Sequence, residues 1–280
     1  MSKHYNILVL MLTAVALLAA CKKVRNLQGE GSPDSQIAFY NASDYLKNQL
    51  SGGNSFSYLL VDYAATTSLN FDSIPNFNSA GANPGSLYQY PSDQYNSRLP
   101  QPWIEYLRLY QGAHTITLTD TGGRYLLHTA NVTTVHGVPS TLYFTDSMGV
   151  FRNWLLPDTM TPQPATAGIR VMDLSPDAGA VFFTIGPKGA TGFPDSLTYG
   201  QITSFVPWPD TTATTLNIRF FQVGGDSVTI LANAPLTLSP GHGYNVLLCG
   251  YFNYESFPDP VSGNFISVAP DLTIQLTQSN

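Results

Sequence analysis

The stretch from Ile169 to Ile185 reads IRVMDLSPDAGAVFFTI and contains the pattern that decides the fold. Two short apolar runs flank the turn signal Ser175-Pro176-Asp177, and apolar residues alternate with other residues on its far side. Alternation beside a proline-containing turn is typical of two β-strands joined by a tight connection. A fainter version of the pattern, IAFYNASDY, begins at Ile37. The sequence therefore predicts two β modules, one opening at each stretch.

Composition also favours strands and turns. The chain has 280 residues, with 23 Gly and 20 Pro, and 43% of its residues are hydrophobic, which is enough to build cores. Only 11% are charged, compared with about 25% in typical soluble domains. The net charge is −6, and the one basic cluster is Lys22, Lys23 and Arg25. Nucleic-acid binding needs concentrated positive charge, so no nucleic-acid partner is expected.

The N-terminus has the pattern of an export signal. Its apolar run from Ile7 to Leu18 would rise about 18 Å as a helix, too little for a hydrocarbon core of about 30 Å, so residues 1–20 are predicted to be a signal peptide. Leu18-Ala19-Ala20-Cys21 resembles the bacterial lipobox, which implies lipidation (palmitate) of Cys21 and anchoring to the cell outer membrane. Polar residues 21–35 then form a flexible tether. Periplasmic and surface display both stay open.

The rest of the chain reads as an all-β protein. Short alternating runs separated by Gly and Pro turns predict β-sandwich or partial-barrel modules. The first module spans 36–156 and includes a long loop without periodicity at 70–102, for which a function and mere decoration are both open. Residues 157–167, rich in Pro and Thr, are the predicted linker, and 168–280 form the second module.

Three pairs of segments indicate that the modules are an internal repeat. They are 107–112 with 218–222, Ile116 and Leu118 with Val228 and Ile230, and 137–144 with 241–248.

The second module resembles a bacterial family, domain of unknown function 4397. Val171 and Ser175-Pro176-Asp177-Ala178 match its opening element, and Gly241, Tyr244 and Val246 match a later strand. The resemblance covers 168–276 well and 36–148 more weakly, since Asn41-Ala42-Ser43-Asp44 lacks the proline and Ser140 stands where Tyr244 would. It implies two tandem immunoglobulin-like β-sandwich modules, secreted or lipid-anchored, often in Bacteroidota, with no established activity.

Asp followed by Ser or Thr and a small or apolar residue resembles the O-glycosylation acceptor of Bacteroidota. Roughly one match is expected by chance, whereas the chain has six. The alternative is that these pairs are ordinary turns that lead into strands. The predicted acceptors are Ser73, Ser147, Thr159, Ser196, Thr211 and Ser227.

Catalytic and metal-binding motifs are lacking in this sequence. The four histidines after the leader do not form a zinc motif. These histidines are His114, His128, His136 and His242. No G-x-S-x-G element occurs either. We therefore predict no catalytic residue, no metal site and no cofactor. Cys249 lies within an apolar run and is predicted to be a buried, inert thiol.

Aromatic residues beside polar ones are the remaining candidates for ligand contact, because such rings can stack on sugars or peptides. The candidates are Tyr88, Tyr90, Tyr95, Trp103, Tyr251 and Tyr254. The alternative is that these rings fill the ends of the sandwich cores. We predict a non-catalytic, lipid-anchored envelope protein that serves as a binding, adhesion or assembly module; its ligand stays open, with a glycan and an envelope protein as the candidate partners. A hydrolase with a loop-borne Ser/His/Asp site and a purely structural stalk are the alternatives.

Overall fold

The computed structural model describes residues 35–50, 57–62, 87–90, 106–120, 125–160, 165–186, 188–209, 215–224 and 230–279. The predicted leader, Cys21 and nearly all of the tether lie outside these ranges, as do Ser73, Tyr95, Trp103, Thr211 and Ser227. For Tyr88 and Tyr90 the description covers the backbone alone. Within the described ranges, no helix has the length and apolar character needed to cross a membrane.

In the described ranges, the first module contains eight strands and one short helix. Its strands form sheet A, in the order β4-β1-β7-β8, and sheet B, in the order β3-β2-β5-β6. The elements are β1 (Ser35–Asn41), α1 (Asp44–Leu50), β2 (Ser57–Val61), β3 (Leu87–Tyr90), β4 (Leu107–Leu109), β5 (Gly112–Thr119), β6 (Leu126–Thr134), β7 (Ser140–Ser147) and β8 (Val150–Pro157). Strand β3 lies within the predicted loop 70–102.

The described residues of the second module form ten strands. They form sheet C, in the order β12-β9-β15-β18, sheet D, in the order β11-β10-β13-β14, and a separate hairpin of β16 and β17. The strands are β9 (Thr166–Asp173), β10 (Val181–Ile185), β11 (Lys188–Gly189), β12 (Val206–Pro209), β13 (Thr215–Gln222), β14 (Ala232–Thr237), β15 (Gly243–Cys249), β16 (Glu255–Pro258), β17 (Phe265–Val268) and β18 (Thr273–Ser279).

The all-β prediction is confirmed, and the two modules share one topology. Sheets A and C have the same strand order once β1 is matched with β9, and sheets B and D correspond in the same way. In the parallel pairs at their centres, Ile37 lies opposite Ser140 and Ile169 lies opposite Tyr244. Ser140 therefore occupies the position of Tyr244, as predicted.

The predicted match of 107–112 with 218–222 is wrong. Strand β4 pairs with β1 in sheet A, whereas β13 pairs with β10 and β14 in sheet D. The topological counterpart of β13 is β5, so the match of Ile116 and Leu118 with residues 228 and 230 is wrong too. Short strands all show the same alternation, and only their pairing partners reveal which strands correspond.

Helix α1 was not predicted, because its seven residues are too few to show a helical period. Its start is capped by Ser43, whose hydroxyl accepts a hydrogen bond from the Leu46 amide at 3.1 Å. Asp44 stands in the first turn, where a negative charge is favoured by the helix dipole.

The central strands are buried on both faces because sheets A and C pack against each other. Along β15, Val246 and Leu248 enter the core of the second module, whereas Leu247 and Cys249 face the first module. Along β7, Tyr143 faces the second module in the same way. Double burial explains why these strands read as continuous apolar runs. It also makes Cys249 a buried thiol whose pKa burial raises, as predicted.

Parts of the predicted linker also belong to the packed body. Residue 157 ends β8 and residues 166–167 begin β9. Asp158 is fully buried and accepts hydrogen bonds from Thr141 (2.7 Å) and Tyr106 (3.0 Å). Burial raises the pKa of the Asp158 carboxyl, and these donors oppose the shift. The predicted linker is therefore held at its start by β8 and the hydrogen bonds of Asp158, and at its end by β9.

Candidate functional site

The Ser-Pro-Asp turn anchors the loop that follows β15. The Asp173 carboxylate accepts from the Ser175 amide at 3.1 Å, which closes an Asx turn. The Ser175 hydroxyl donates to the Gly250 carbonyl at 2.6 Å, and the Leu174 amide donates to the Leu248 carbonyl at 2.9 Å. The turn after β9 is thereby bonded to the end of β15.

The first module keeps the same turn without the proline. The Asn41 side chain accepts from the Ser43 amide at 2.8 Å, and the Ala42 amide donates to the Phe144 carbonyl at 2.6 Å. The Ser43 hydroxyl donates to Asp146 at 2.6 Å, which takes the place of the Gly250 carbonyl. An Asx turn needs only an oxygen on its first side chain, so Asn replaces Asp and the proline is dispensable.

Asp177 holds the segment that leads into the hairpin. Its carboxylate accepts from the amides of Phe252 (2.6 Å) and Asn253 (2.7 Å), and from the Asn253 side chain (3.2 Å). Asp173 thus caps its own turn, whereas Asp177 bonds a distant segment of the chain. The family motif therefore positions a segment about 75 residues further along the chain.

The hairpin of β16 and β17 presents one side to solvent, which we call the hairpin face. Cross-strand pairing sets Ser256 opposite Ser267 and Pro258 opposite Phe265, and all four residues are exposed. Tyr254 immediately precedes β16 and is two residues from Ser256. Tyr254 is 64% exposed and Phe265 is 75% exposed. The hairpin face therefore has a ring at each end and two hydroxyl groups between them.

The opposite side of the hairpin completes the core of the first module. Phe257 is 2% exposed and its ring centre lies 6.5 Å from that of Tyr45 and 6.4 Å from that of Tyr251. The Tyr45 hydroxyl donates to Asp259 at 2.7 Å, between residues 214 positions apart. Burial on one side and this hydrogen bond hold the hairpin face in place.

Buried carboxylates lie beneath the hairpin and serve the structure. Asp146 accepts hydrogen bonds from the Tyr251 hydroxyl (3.1 Å), the Gly149 amide (3.0 Å) and the Tyr45 amide (3.2 Å). Asp44 accepts from the Tyr251 amide at 3.0 Å, and Lys47 forms ion pairs with Asp44 and Asp271. Burial raises the pKa of Asp44, and the nearby Lys47 opposes the shift.

The prediction that Tyr251 contacts a ligand is wrong, whereas the predicted ligand-contact residue Tyr254 is accessible to solvent. Tyr251 is 1% exposed, and its hydroxyl both donates to Asp146 and accepts from the Met148 amide at 2.6 Å. The alternative, that a ring fills the end of a core, applies to this residue. Sequence reasoning missed Phe265, although DPVSGN between the runs ESFP and FISV is a hairpin signal.

Three predicted glycosylation acceptors lie in the described ranges. Thr159 is exposed, and Ser147 and Ser196 are half-buried. The aspartates before Ser147 and Thr159 are the buried Asp146 and Asp158, which hydrogen-bond inside the protein. These two pairs therefore have a structural explanation of their own, whereas Asp195, before Ser196, is exposed.

His114, His128 and His242 each contact different residues. His114 bonds Asp62 through Nδ1 (2.8 Å) and the Tyr110 carbonyl through Nε2 (2.7 Å). His128 bonds the Asn153 side chain at 2.7 Å, and His242 bonds Gln278 at 3.0 Å. Within the described ranges, no group of three or more His, Cys, Asp and Glu side chains is placed to hold a metal ion.

The predicted family resemblance is confirmed by a match to the model of domain of unknown function 4397 over residues 99–184. This range contains the Ser-Pro-Asp turn but ends before Tyr244, so its extent differs from the predicted 168–276. It begins before β4 and ends in β10. Because the modules repeat one strand order, such a range combines the later strands of one module with the first strands of the next.

Similarity to solved structures is weak, and no curated protein matches the chain. A streptococcal virulence factor that binds alpha-glucan has 12% identity and a TM-score of 0.26, covering 76% of this chain and 92% of that chain. Family 41 carbohydrate-binding modules from streptococcal virulence factors have 10% identity and a TM-score of 0.23, with the same coverage. A Bacteroides fragilis protein described as a cell adhesion protein has 13% identity and a TM-score of 0.15, covering 87% and 91%. TM-scores this low do not establish a shared fold.

Proposed function

We propose that this protein is a non-catalytic, lipid-anchored protein of the cell envelope that binds a glycan through the hairpin face. The observation that carries the proposal is the pair of exposed rings, Tyr254 and Phe265, on a hairpin whose other side is buried. An exposed ring on a fixed support binds a ligand without losing much conformational freedom.

The spacing of the hairpin face suits an extended sugar chain. Tyr254 and Pro258 are four residues apart, about 13 Å in a strand, and Phe265 lies opposite Pro258. Aromatic faces stack on the apolar face of a sugar ring, and the hydroxyls of Ser256 and Ser267 can donate to and accept from sugar hydroxyls. The face therefore fits a ligand of two or three sugar units better than a single charged group.

The position of the hairpin suits an anchored binding protein. The expected tether would join the described chain at Ser35, the first residue of β1. Strand β1 runs for about 20 Å and ends at Asn41, beside the turn that contacts Asp146. The tether would thus attach at the other end of the first module from the hairpin face.

The contacts of His114 weaken the alternative of a hydrolase. Its Nε2 faces a carbonyl oxygen at 2.7 Å and must donate to it. Its Nδ1 faces a carboxylate. Neither nitrogen is positioned to accept a proton from a serine, which a general base must do. Loss of turnover on mutating His128 or His242 would instead support that alternative.

A glycan array followed by calorimetry on the bound glycan tests the proposal. We expect the double variant Tyr254→Ala, Phe265→Ala to bind at least tenfold more weakly, because each stacking contact contributes up to about 1.5 kcal/mol and 1.4 kcal/mol is a factor of ten. Tyr125→Ala is the matched control, since Tyr125 is 46% exposed and lies outside the hairpin face. A blank array, or equal loss in the control, would overturn the proposal.

A further inference from the structure

We infer that the second module has a separate binding groove for a small, uncharged, hydroxyl-rich ligand of the size of a mono- or disaccharide. The groove lies between the loop after β11 and the segment that enters β12, and its volume is about 430 Å³. Small-molecule sites usually have volumes of about 300–1,000 Å³. The lining residues are Gly192, Pro194, Ser196, Leu197, Gln201, Ile202, Thr203, Ser204 and Val206.

The floor of the groove is rigid because it is bonded to the edge of β9. The Thr203 amide donates to the Val171 carbonyl at 3.0 Å, and the Asp173 amide donates to the Gln201 carbonyl at 3.0 Å. Ile202 forms a β-bridge with Met172 between these two bonds. Residues 201–203 are thus an irregular extension of sheet C, held to β9 through the Thr203 amide and the Gln201 carbonyl. The Thr203 hydroxyl adds to this hold, since it accepts from the Val171 amide at 3.0 Å and donates to the Ser204 carbonyl at 2.9 Å.

A glycine keeps one wall of the groove open. Gly192 has a φ of +91°, a left-handed conformation that disfavours other residues. A Cβ at this position would lie 3.1 Å from a methyl group of Val206, on the facing wall. A larger residue at this position would therefore narrow the groove.

Several polar groups of the lining have hydrogen-bonding capacity to spare. Within the described part of the chain, the hydroxyls of Ser196 and Ser204 make no hydrogen bond. Gln201 uses its carbonyl oxygen to accept from the Thr198 amide at 2.8 Å, which leaves its amino group available to donate. These three groups can donate to or accept from ligand hydroxyls.

The same lining determines the class of ligand. None of the lining residues carries a charge, so an ionised ligand would lose hydration without gaining a counter-ion. Ile202 and Val206 supply apolar contact, and the serines and Gln201 supply directed polar contact. Leu197 is 2% exposed and belongs to the core beneath the groove. A neutral sugar combines apolar C–H faces with many hydroxyls, and it meets both requirements.

Nuclear magnetic resonance titration of the purified protein with maltose, cellobiose, lactose and chitobiose tests this inference. We expect at least one of these disaccharides to bind with millimolar affinity and to shift the amide signals of residues 192–206. Ser196→Trp fills the groove and should weaken this binding at least tenfold. Thr198→Trp is the matched control, because Thr198 is exposed in the same loop but does not line the groove.

The two proposed sites can be told apart in the same titration. The double variant Tyr254→Ala, Phe265→Ala should leave binding at the groove unchanged. If Ser196→Trp does not fold, Ser204→Leu, at an exposed position of the lining, replaces it. No shift at residues 192–206 with any of the four disaccharides, or equal weakening by Thr198→Trp, would overturn the inference, and neither result depends on the hairpin face.

Discussion

At the scale of single residues, Asp173 and Asn41 perform one task with different chemistry. Both side chains accept from the amide two residues ahead. Asp173 is fully buried, and its second oxygen has no hydrogen-bond partner. Burial raises the pKa of its carboxyl to about 7. The neutral amide of Asn41 does not carry this electrostatic cost.

We expect Asp173→Asn to stabilise the protein above pH 7. The unfolded chain ionises Asp173 near the ordinary value of 3.8 and the folded chain near 7, so the folded state binds more protons between these values. The free energy of unfolding of the unsubstituted protein should therefore fall as the pH rises through this window and stay level above it. The difference in free energy of unfolding between Asp173→Asn and the parent protein should reach a few kcal/mol, because each unit of pKa corresponds to about 1.4 kcal/mol.

Urea unfolding at pH 4, 6 and 8 measures this effect. Asn41→Asp is the matched variant and should lose stability at pH 8, provided that its carboxyl is buried like that of Asp173. An unchanged difference between Asp173→Asn and the parent protein at all three pH values would contradict the assignment.

At the scale of elements, the hairpin of β16 and β17 is positioned from both modules. Its buried side packs on Tyr45 in α1, and the segment before it is bonded to Asp177 in the turn after β9. Gly250 makes the sharp change of direction out of β15, with a φ of +94°. A Cβ there would lie 2.3 Å from the Asp271 carbonyl oxygen, so the chain can pass only with glycine.

We expect Asp177→Ala to loosen the segment before the hairpin without unfolding the protein. Three hydrogen bonds to Phe252 and Asn253 would be lost at an exposed position, which should lower the free energy of unfolding by about 1–2 kcal/mol. Hydrogen exchange at the amides of Phe252 and Asn253 should become faster. Asp195→Ala, at an exposed acid, is the control, and equal acceleration in both variants would contradict this role.

At the scale of the whole molecule, the two modules form one body with a shared interior. The core of the first module includes Tyr251, Phe257 and Val268, which come from the second half of the chain. Sheets A and C bury Tyr143, Met172 and Leu247 between them. Unfolding either module would expose apolar surface of the other, so the two are expected to unfold together.

Phe257→Ala tests this coupling, because Phe257 lies in the second half of the chain and fills the core of the first module. We expect one calorimetric unfolding transition, shifted as a whole to lower temperature. The free energy of unfolding should fall by about 3–5 kcal/mol. Phe265→Ala, at an exposed position seven residues from the end of β16, should change stability by less than about 0.5 kcal/mol. Two separate transitions, with only one displaced by Phe257→Ala, would contradict a single cooperative body.

A large part of the fold was predictable from local features of the sequence. Alternation identified strands such as β10 and β18, whereas the equivalence of the turns at Asn41 and Asp173 emerged only from their hydrogen bonds. Tyr254 was found as an accessible ring because it adjoins polar residues. Tyr251 was misjudged for the same reason, since only the packing of α1 and the hairpin shows that it is buried.

The sequence by itself determined that this chain is all-β, that it repeats one module and that its turns are built on Asp, Asn and Gly, because these properties depend on neighbouring residues. The tertiary structure alone decided which strands correspond, which faces are covered and where a ligand can reach. Those properties depend on contacts between distant residues, such as the hydrogen bond from Tyr45 to Asp259 across 214 positions. No local pattern records a partner so far along the chain.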